Sequence, residues 1–169
     1  MKKLTVFILS LFMMLMVGSQ SVLANNRIDA SAAIMADAST GQIIYKQNVD
    51  KALPVASITK LLTILVIEDE IQQKQLSWDT QVKITPEIAA ISNDAAYSSI
   101  GLKSGQSYSV RTLINAALVK SADGATVALA TATGDGTDEF NLKMMQKAKK
   151  IGMTKTNIVN SVGLDNGKF

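Results

Sequence analysis

The hydrophobic and polar positions divide this chain into segments of different kinds. Residues 4–18 are apolar almost without a break behind Lys2 and Lys3, and modest residues follow at Val22-Leu23-Ala24. That order is the pattern of a secretory leader, cut after Ala24. Fifteen residues span only about 22 Å as a helix, short of the roughly 30 Å of a hydrocarbon core; an uncleaved N-terminal anchor is the alternative, with the same external destination. Two short apolar runs, Ala32 to Asp37 and Gln42 to Lys46, flank Ala-Ser-Thr-Gly and predict a β-hairpin with Gly41 at positive φ. Pro54 ends that region. From Ser57 a helix is predicted through SITKLLTILVIEDEIQQ, and its centre, Leu61 to Ile67, is apolar on nearly all sides. A helix of that kind is buried between layers.

Beyond it, Gln81 to Ile84 reads as a short strand and Thr85-Pro86-Glu87 as a helix start with proline in the first turn. Tyr97 to Tyr108 reads as loop, and Ser109 as the N-cap of a helix through Val119. An alanine-rich helix follows from Asp123 to Thr133. Another runs from about Asp138 to Ile151, with Phe140, Met144, Ala148 and Ile151 on one stripe and Gly152 as its stop. Met144 and Met145 read as core packing, and Asn157 to Asn160 as the start of a strand. A hairpin and a cluster of helices around one all-apolar helix give too little sheet to cover that helix. The expectation is an α+β fold that is incomplete in this chain.

Composition narrows the chemistry. With 17 basic and 14 acidic residues, part of the positive balance belongs to Lys2 and Lys3, and no basic run suggests nucleic acid. The chain has no cysteine and no histidine. That excludes disulfides, thiol nucleophiles, the Ser-His-Asp triad and the common zinc sites, and no cofactor is implied. Any reaction must use Ser, Thr, Lys, Tyr, Asp or Glu.

Ser57 and Lys60 lie three apart at a predicted helix start, so their Oγ and Nζ can reach one point. Backbone N–H groups there favour a developing negative charge. A lysine shielded from water or set beside another cation can serve as base, and serine–lysine pairs are a variant of the triad logic. Ser-x-x-Lys is also a common pattern, and an N-cap serine beside a solvated lysine is the alternative. Two features favour chemistry: Lys60 precedes the most apolar part of its helix, and a second serine motif, Ser121-Ala-Asp123, follows.

Together with Asp37-Ala-Ser-Thr-Gly-Gln-Ile-Ile-Tyr45, Pro54-Val-Ala-Ser-Ile-Thr-Lys-Leu-Leu-Thr63, Ala148-Lys-Lys-Ile-Gly-Met153 and Gly163-Leu-Asp165, these motifs resemble the N-terminal part of the low-molecular-weight penicillin-binding proteins. Those are serine-type D-Ala-D-Ala carboxypeptidases of the peptidase S11 kind. The superfamily carries an S-x-x-K, a second serine box and a K-T-G. The resemblance implies a β-lactamase/D,D-peptidase-like fold, with a helical cluster packed on a central antiparallel sheet. It implies that residues 25–169 are part of the catalytic domain. Ser57 would be the acyl-ester nucleophile, Lys60 the general base and Ser121 the proton relay, with the Ser57 N–H as one oxyanion donor. The substrates would be peptidoglycan stem peptides ending in D-Ala-D-Ala, with β-lactams as covalent inhibitors. The protein would be exported to the outer face of the cytoplasmic membrane, touching the membrane only through export or through a C-terminal anchor absent from this chain.

Two departures qualify that expectation. The second box usually reads Ser-x-Asn, and here Asp123 stands at the asparagine position. An amide can donate to a substrate carbonyl, whereas a carboxylate only accepts. The expectation is that Asp123 holds Lys60 in place and weakens it as a base, offset in a full site by another cation; the alternative is that it caps its helix. No Lys-Thr-Gly or Lys-Ser-Gly follows Asp123, so an open sheet edge and little activity are expected. A serine β-lactamase, with Glu87 as candidate acid, and a non-catalytic cell-wall-binding protein on the same fold are the other readings.

Overall fold

The computed structural model describes residues 27–134 and 136–164. The leader read at residues 1–24 lies outside them, as does Asp165 of the Gly-Leu-Asp motif. The described chain forms two units, divided after Lys51.

The first unit is the predicted hairpin. Strands β1 (Ala33–Ala36) and β2 (Ile43–Gln47) pair antiparallel, Ala33 opposite Gln47 and Met35 opposite Tyr45, with the register shifting between Met35 and Ala36. The turn is built by one carboxylate. Asp37 Oδ1 accepts from the Ser39 and Thr40 hydroxyls at 2.6 and 2.8 Å and from their backbone N–H groups at 3.1 and 2.8 Å. Gly41 closes it at φ 71°, a conformation that costs glycine little. The Ser39 and Thr40 hydroxyl bonds, more than the backbone ones, pull the Asp37 carboxyl down to about 2.

The second unit begins with a 3-10 turn, Ala56–Ile58, that runs into α1 (Thr59–Gln72). Strand β3 (Gln81–Lys83), α2 (Pro86–Asn93), β4 (Ser107–Ser109), α3 (Val110–Lys120), α4 (Asp123–Thr131) and α5 (Thr137–Lys150) follow. The capping chemistry matches the sequence. Thr85 accepts from Ile88 N at 3.3 Å ahead of Pro86, and Ser109 accepts from Thr112 N at 3.2 Å. Strand β4 overlaps the end of the predicted loop and the predicted N-cap, Ser109, and pairs with β3, Tyr108 opposite Val82. Only Tyr108 in its Ser-Tyr-Ser sequence favours a strand, and a partner 26 positions away creates it.

The buried centre of this unit is α4, not α1. Every residue from Asp123 to Ala130 is buried, and α4 packs against α1, α2, α3 and α5. Its side chains are mostly small, so four helices can approach one axis. Leu129 is its one large fully buried side chain, and around it lie Ile67, Leu113, Phe140, Met144 and Val162, all fully buried. The expectation that α1 is buried on all sides is corrected: Leu62, Ile64, Val66 and Ile67 are buried, while Leu61 and Leu65 are exposed. Phe140, Met144 and Ala148 form the expected inner stripe of α5. Met145 and Ile151 do not join it: Met145 lies one position round the helix, and Ile151 is already the C-cap residue. No strand forms at residues 157–160; the Asn160 side chain instead bonds forward to the backbone of residues 162–164. Among the described residues no helix is long and apolar enough to cross a membrane, and no acidic cluster could hold a metal ion.

Candidate active site

Ser57 does not begin the α-helix. It sits in the 3-10 turn, one step before α1, and its side chain caps neither element. Ala56 ahead of it takes φ 46°, a left-handed conformation that a non-glycine residue adopts at a cost of about 1 kcal/mol or more. Lys60 lies in the first turn of α1 and is 2% exposed. Its Nζ donates to Ser57 Oγ at 2.8 Å. The spacing of three read from the sequence therefore does bring hydroxyl and amine together, through a tighter turn than an α-helix.

The second motif comes from the link between α3 and α4. Ser121 ends α3 in the left-handed conformation, φ 53°, and Ala122 N returns to Ala116 O at 3.2 Å. This sharp reversal turns the Ser121 hydroxyl to Lys60 Nζ at 3.1 Å. Two residues on, Asp123 Oδ1 lies 2.7 Å from the same nitrogen, both side chains almost completely buried. Asp123 is not a helix cap: Ala122 holds that position. Its other oxygen, Oδ2, accepts from Ser98 N at 3.1 Å, and its own N–H donates to Ser98 O at 2.9 Å.

Lys60 Nζ thus donates to two hydroxyls, Ser57 Oγ and Ser121 Oγ, and has the Asp123 carboxylate as its ion-pair partner. The carboxylate offsets the burial of the amine. The four candidate residues, Ser57, Lys60, Ser121 and Asp123, form one cluster. Glu87 is engaged elsewhere. It is exposed in the first turn of α2, where the Thr85 hydroxyl holds its carboxyl below the ordinary range.

Ser98, which fixes Asp123 through two backbone bonds, was not singled out from sequence. A serine in a polar loop carries no pattern, and only the fold brings it to α4. Gly163 and Asn160 were likewise without a role in the sequence, although Gly163 belongs to a matching motif.

The sequence model of the D-alanyl-D-alanine carboxypeptidases of peptidase family S11 matches residues 19–169. The chain belongs to this family. Among the family's curated members, the D-alanyl-D-alanine carboxypeptidase DacF of Bacillus subtilis is 28% identical over 136 residues, 80% of this chain and 34% of its own length. The crystal structure of the D-alanyl-D-alanine carboxypeptidase DacD from Francisella tularensis superposes with a TM-score of 0.77 at 37% identity, over 85% of this chain and 34% of that one. Penicillin-binding protein D2 from Listeria monocytogenes, in its cefotaxime-bound form, matches with a TM-score of 0.72 at 32% identity, over 86% of this chain and 57% of that one. The chain thus spans about a third of the length of the first two. It has the α+β, D,D-peptidase/β-lactamase-like architecture expected from its motifs, as part of that domain.

Proposed function

We propose that this chain carries the acylating serine of a D-Ala-D-Ala carboxypeptidase, with Ser57 as nucleophile, Lys60 as base and Ser121 as proton relay. The observation that carries the reading is the convergence on one buried amine of two hydroxyls, from separate motifs, at 2.8 and 3.1 Å. Nothing in core packing calls for such a cluster of buried polar groups, and desolvated polar groups gather where chemistry is done.

The substrate class is a peptidoglycan stem peptide ending in D-Ala-D-Ala. Lys60 acts as the neutral amine, whose lone pair takes the Ser57 hydroxyl proton as the bond to substrate forms. Ser57 Oγ then attacks the carbonyl carbon of the penultimate D-alanine. The oxyanion faces the Ser57 N–H, a kind of donor that contributes about 3 to 4 kcal/mol to the transition state. The tetrahedral intermediate collapses, and Ser121 passes the proton from Lys60 to the departing D-alanine nitrogen. Water then cleaves the ester, and the shortened peptide leaves. A β-lactam enters by the same attack and leaves Ser57 acylated.

Asp123 positions the base. Its carboxylate, 2.7 Å from Lys60 Nζ, anchors the amine between the two hydroxyls and restrains it there. Residues 25–169 are read as the N-terminal part of the catalytic domain. The basic, then apolar, then small-residue pattern of residues 1–24 supports export, and the substrate class calls for action outside the cytoplasmic membrane.

The test is covalent labelling. Incubation with a fluorescent penicillin should give an adduct on the peptide that contains Ser57, absent from Ser57→Ala. An adduct that survives that substitution, or maps to another residue, removes the assignment.

A further inference from the structure

The loop that follows α5 touches the nucleophile's turn from beneath. Asn160, 3% exposed, accepts on one oxygen from the backbone N–H groups of Val162, Gly163 and Leu164 at 3.2, 2.7 and 3.3 Å, and its amide donates to Leu164 O at 2.6 Å. One side chain thus fixes the path of five residues. Gly163, at φ 79°, lies so close to the 3-10 turn that a Cβ there would fall 2.0 Å from Ala56 O and 2.5 Å from Thr59 Oγ1. On the far side of the loop, Ser161 O accepts from Thr63 Oγ1, fully buried on α1, at 2.7 Å.

A peptide unit is planar, with its C=O and N–H pointing opposite ways. The Ala56 carbonyl and the Ser57 N–H belong to one such unit. Contact with Ala56 O therefore sets the direction of the Ser57 N–H, and the left-handed φ of Ala56 is held by what packs against it. The same loop also holds α1, and with it Lys60, through Thr63.

Building on the acyl-transfer reading above, we propose that the Asn160–Leu164 loop is a positioning clamp for the acylation site. Gly163 seats the Ala56–Ser57 peptide so that its N–H faces the reacting carbonyl and Ser57 Oγ stays on Lys60. Asn160 holds Gly163 in place, and Thr63 ties the loop to the helix that carries the base. None of the three touches substrate.

The natural chain has no cysteine, so Ser57→Cys places a single thiol at the site. Its alkylation by iodoacetamide, followed against pH in the whole chain, reports the surroundings of position 57 without any need for penicillin turnover. The clamp predicts that adding Gly163→Ala to Ser57→Cys moves the alkylation midpoint up by about one pH unit, toward the roughly 8.5 of a free thiol, as the sulfur leaves Lys60 and the helix start. Thr63→Val, nearly isosteric, should shift it the same way by a smaller amount and keeps the test open if Gly163→Ala does not fold. A merely structural role for the loop would lower the melting temperature and leave the midpoint unchanged. Coincident pH profiles for Ser57→Cys alone and with either substitution overturn the clamp. Failure of fluorescent penicillin to label Ser57 in the natural sequence is a separate result and strikes the acyl-transfer reading instead.

Discussion

Asp123→Asn is the most informative single change. The ion pair it breaks has a 2.7 Å separation and side chains only 3% and 5% exposed. At an effective dielectric of about 20, two unit charges at that distance attract by about 6 kcal/mol, before the desolvation of both is subtracted. Removing one partner from a buried pair typically costs about 3 to 5 kcal/mol, because the other charge is left behind. The geometry adds a sharper constraint. If the amide oxygen keeps the bond from Ser98 N, the NH2 group falls where Oδ1 was, facing Lys60 Nζ. Two donors then oppose each other unless the lysine is a neutral amine able to accept. The variant should lose about 3 to 5 kcal/mol in urea unfolding. Its folded fraction should be labelled by a fluorescent penicillin faster at neutral pH, because the carboxylate no longer restrains the amine. A slower labelling rate in the folded variant refutes the idea that Asp123 restrains the base, and unchanged stability refutes the buried pair.

Other expectations are simpler. Gly124 sits in the first turn of α4, where a Cβ would lie 2.7 Å from Ser92 Cβ on α2; Gly124→Ala should destabilise by about 1 to 3 kcal/mol in urea, and a neutral effect would contradict this helix contact. For Asp37, the folded value of about 2 lies below the ordinary 3.8. Its contribution to the turn is therefore complete above pH 3.8 and disappears as pH falls through about 2. A carboxyl carbon shift followed by NMR should titrate near that lower value, and a midpoint near 3.8 would show that the Ser39 and Thr40 bonds do not persist.

The parts of the fold that local chemistry decides were legible in the sequence. Asp37 to Gly41 specify a turn by residue type, Thr85-Pro86 and Ser109 specify helix starts, and the 3.6-residue stripe of Phe140, Met144 and Ala148 specifies a buried face. What depends on partners far along the chain was not. Strand β4 exists because β3 lies beside it, and α4 becomes the buried centre because its small side chains admit four neighbours. Its alanines look the same in sequence whether they are central or peripheral. In the site, Ser57 and Lys60 are close in sequence and could be paired from spacing alone. Ser121 and Asp123 could be tied to them only by resemblance, and their convergence on Lys60 depends on the left-handed turn at Ser121. Ser98, Asn160 and Gly163 act through backbone contacts, which no side-chain pattern announces.

The central claim is that Ser57, served by Lys60, is the residue that takes the acyl group. It is tested most directly by prolonged incubation of the natural chain with excess fluorescent penicillin, followed by peptide mapping beside Ser57→Ala. The account predicts one adduct, on Ser57, that is absent from the variant. No adduct, or one that persists in Ser57→Ala, would contradict it.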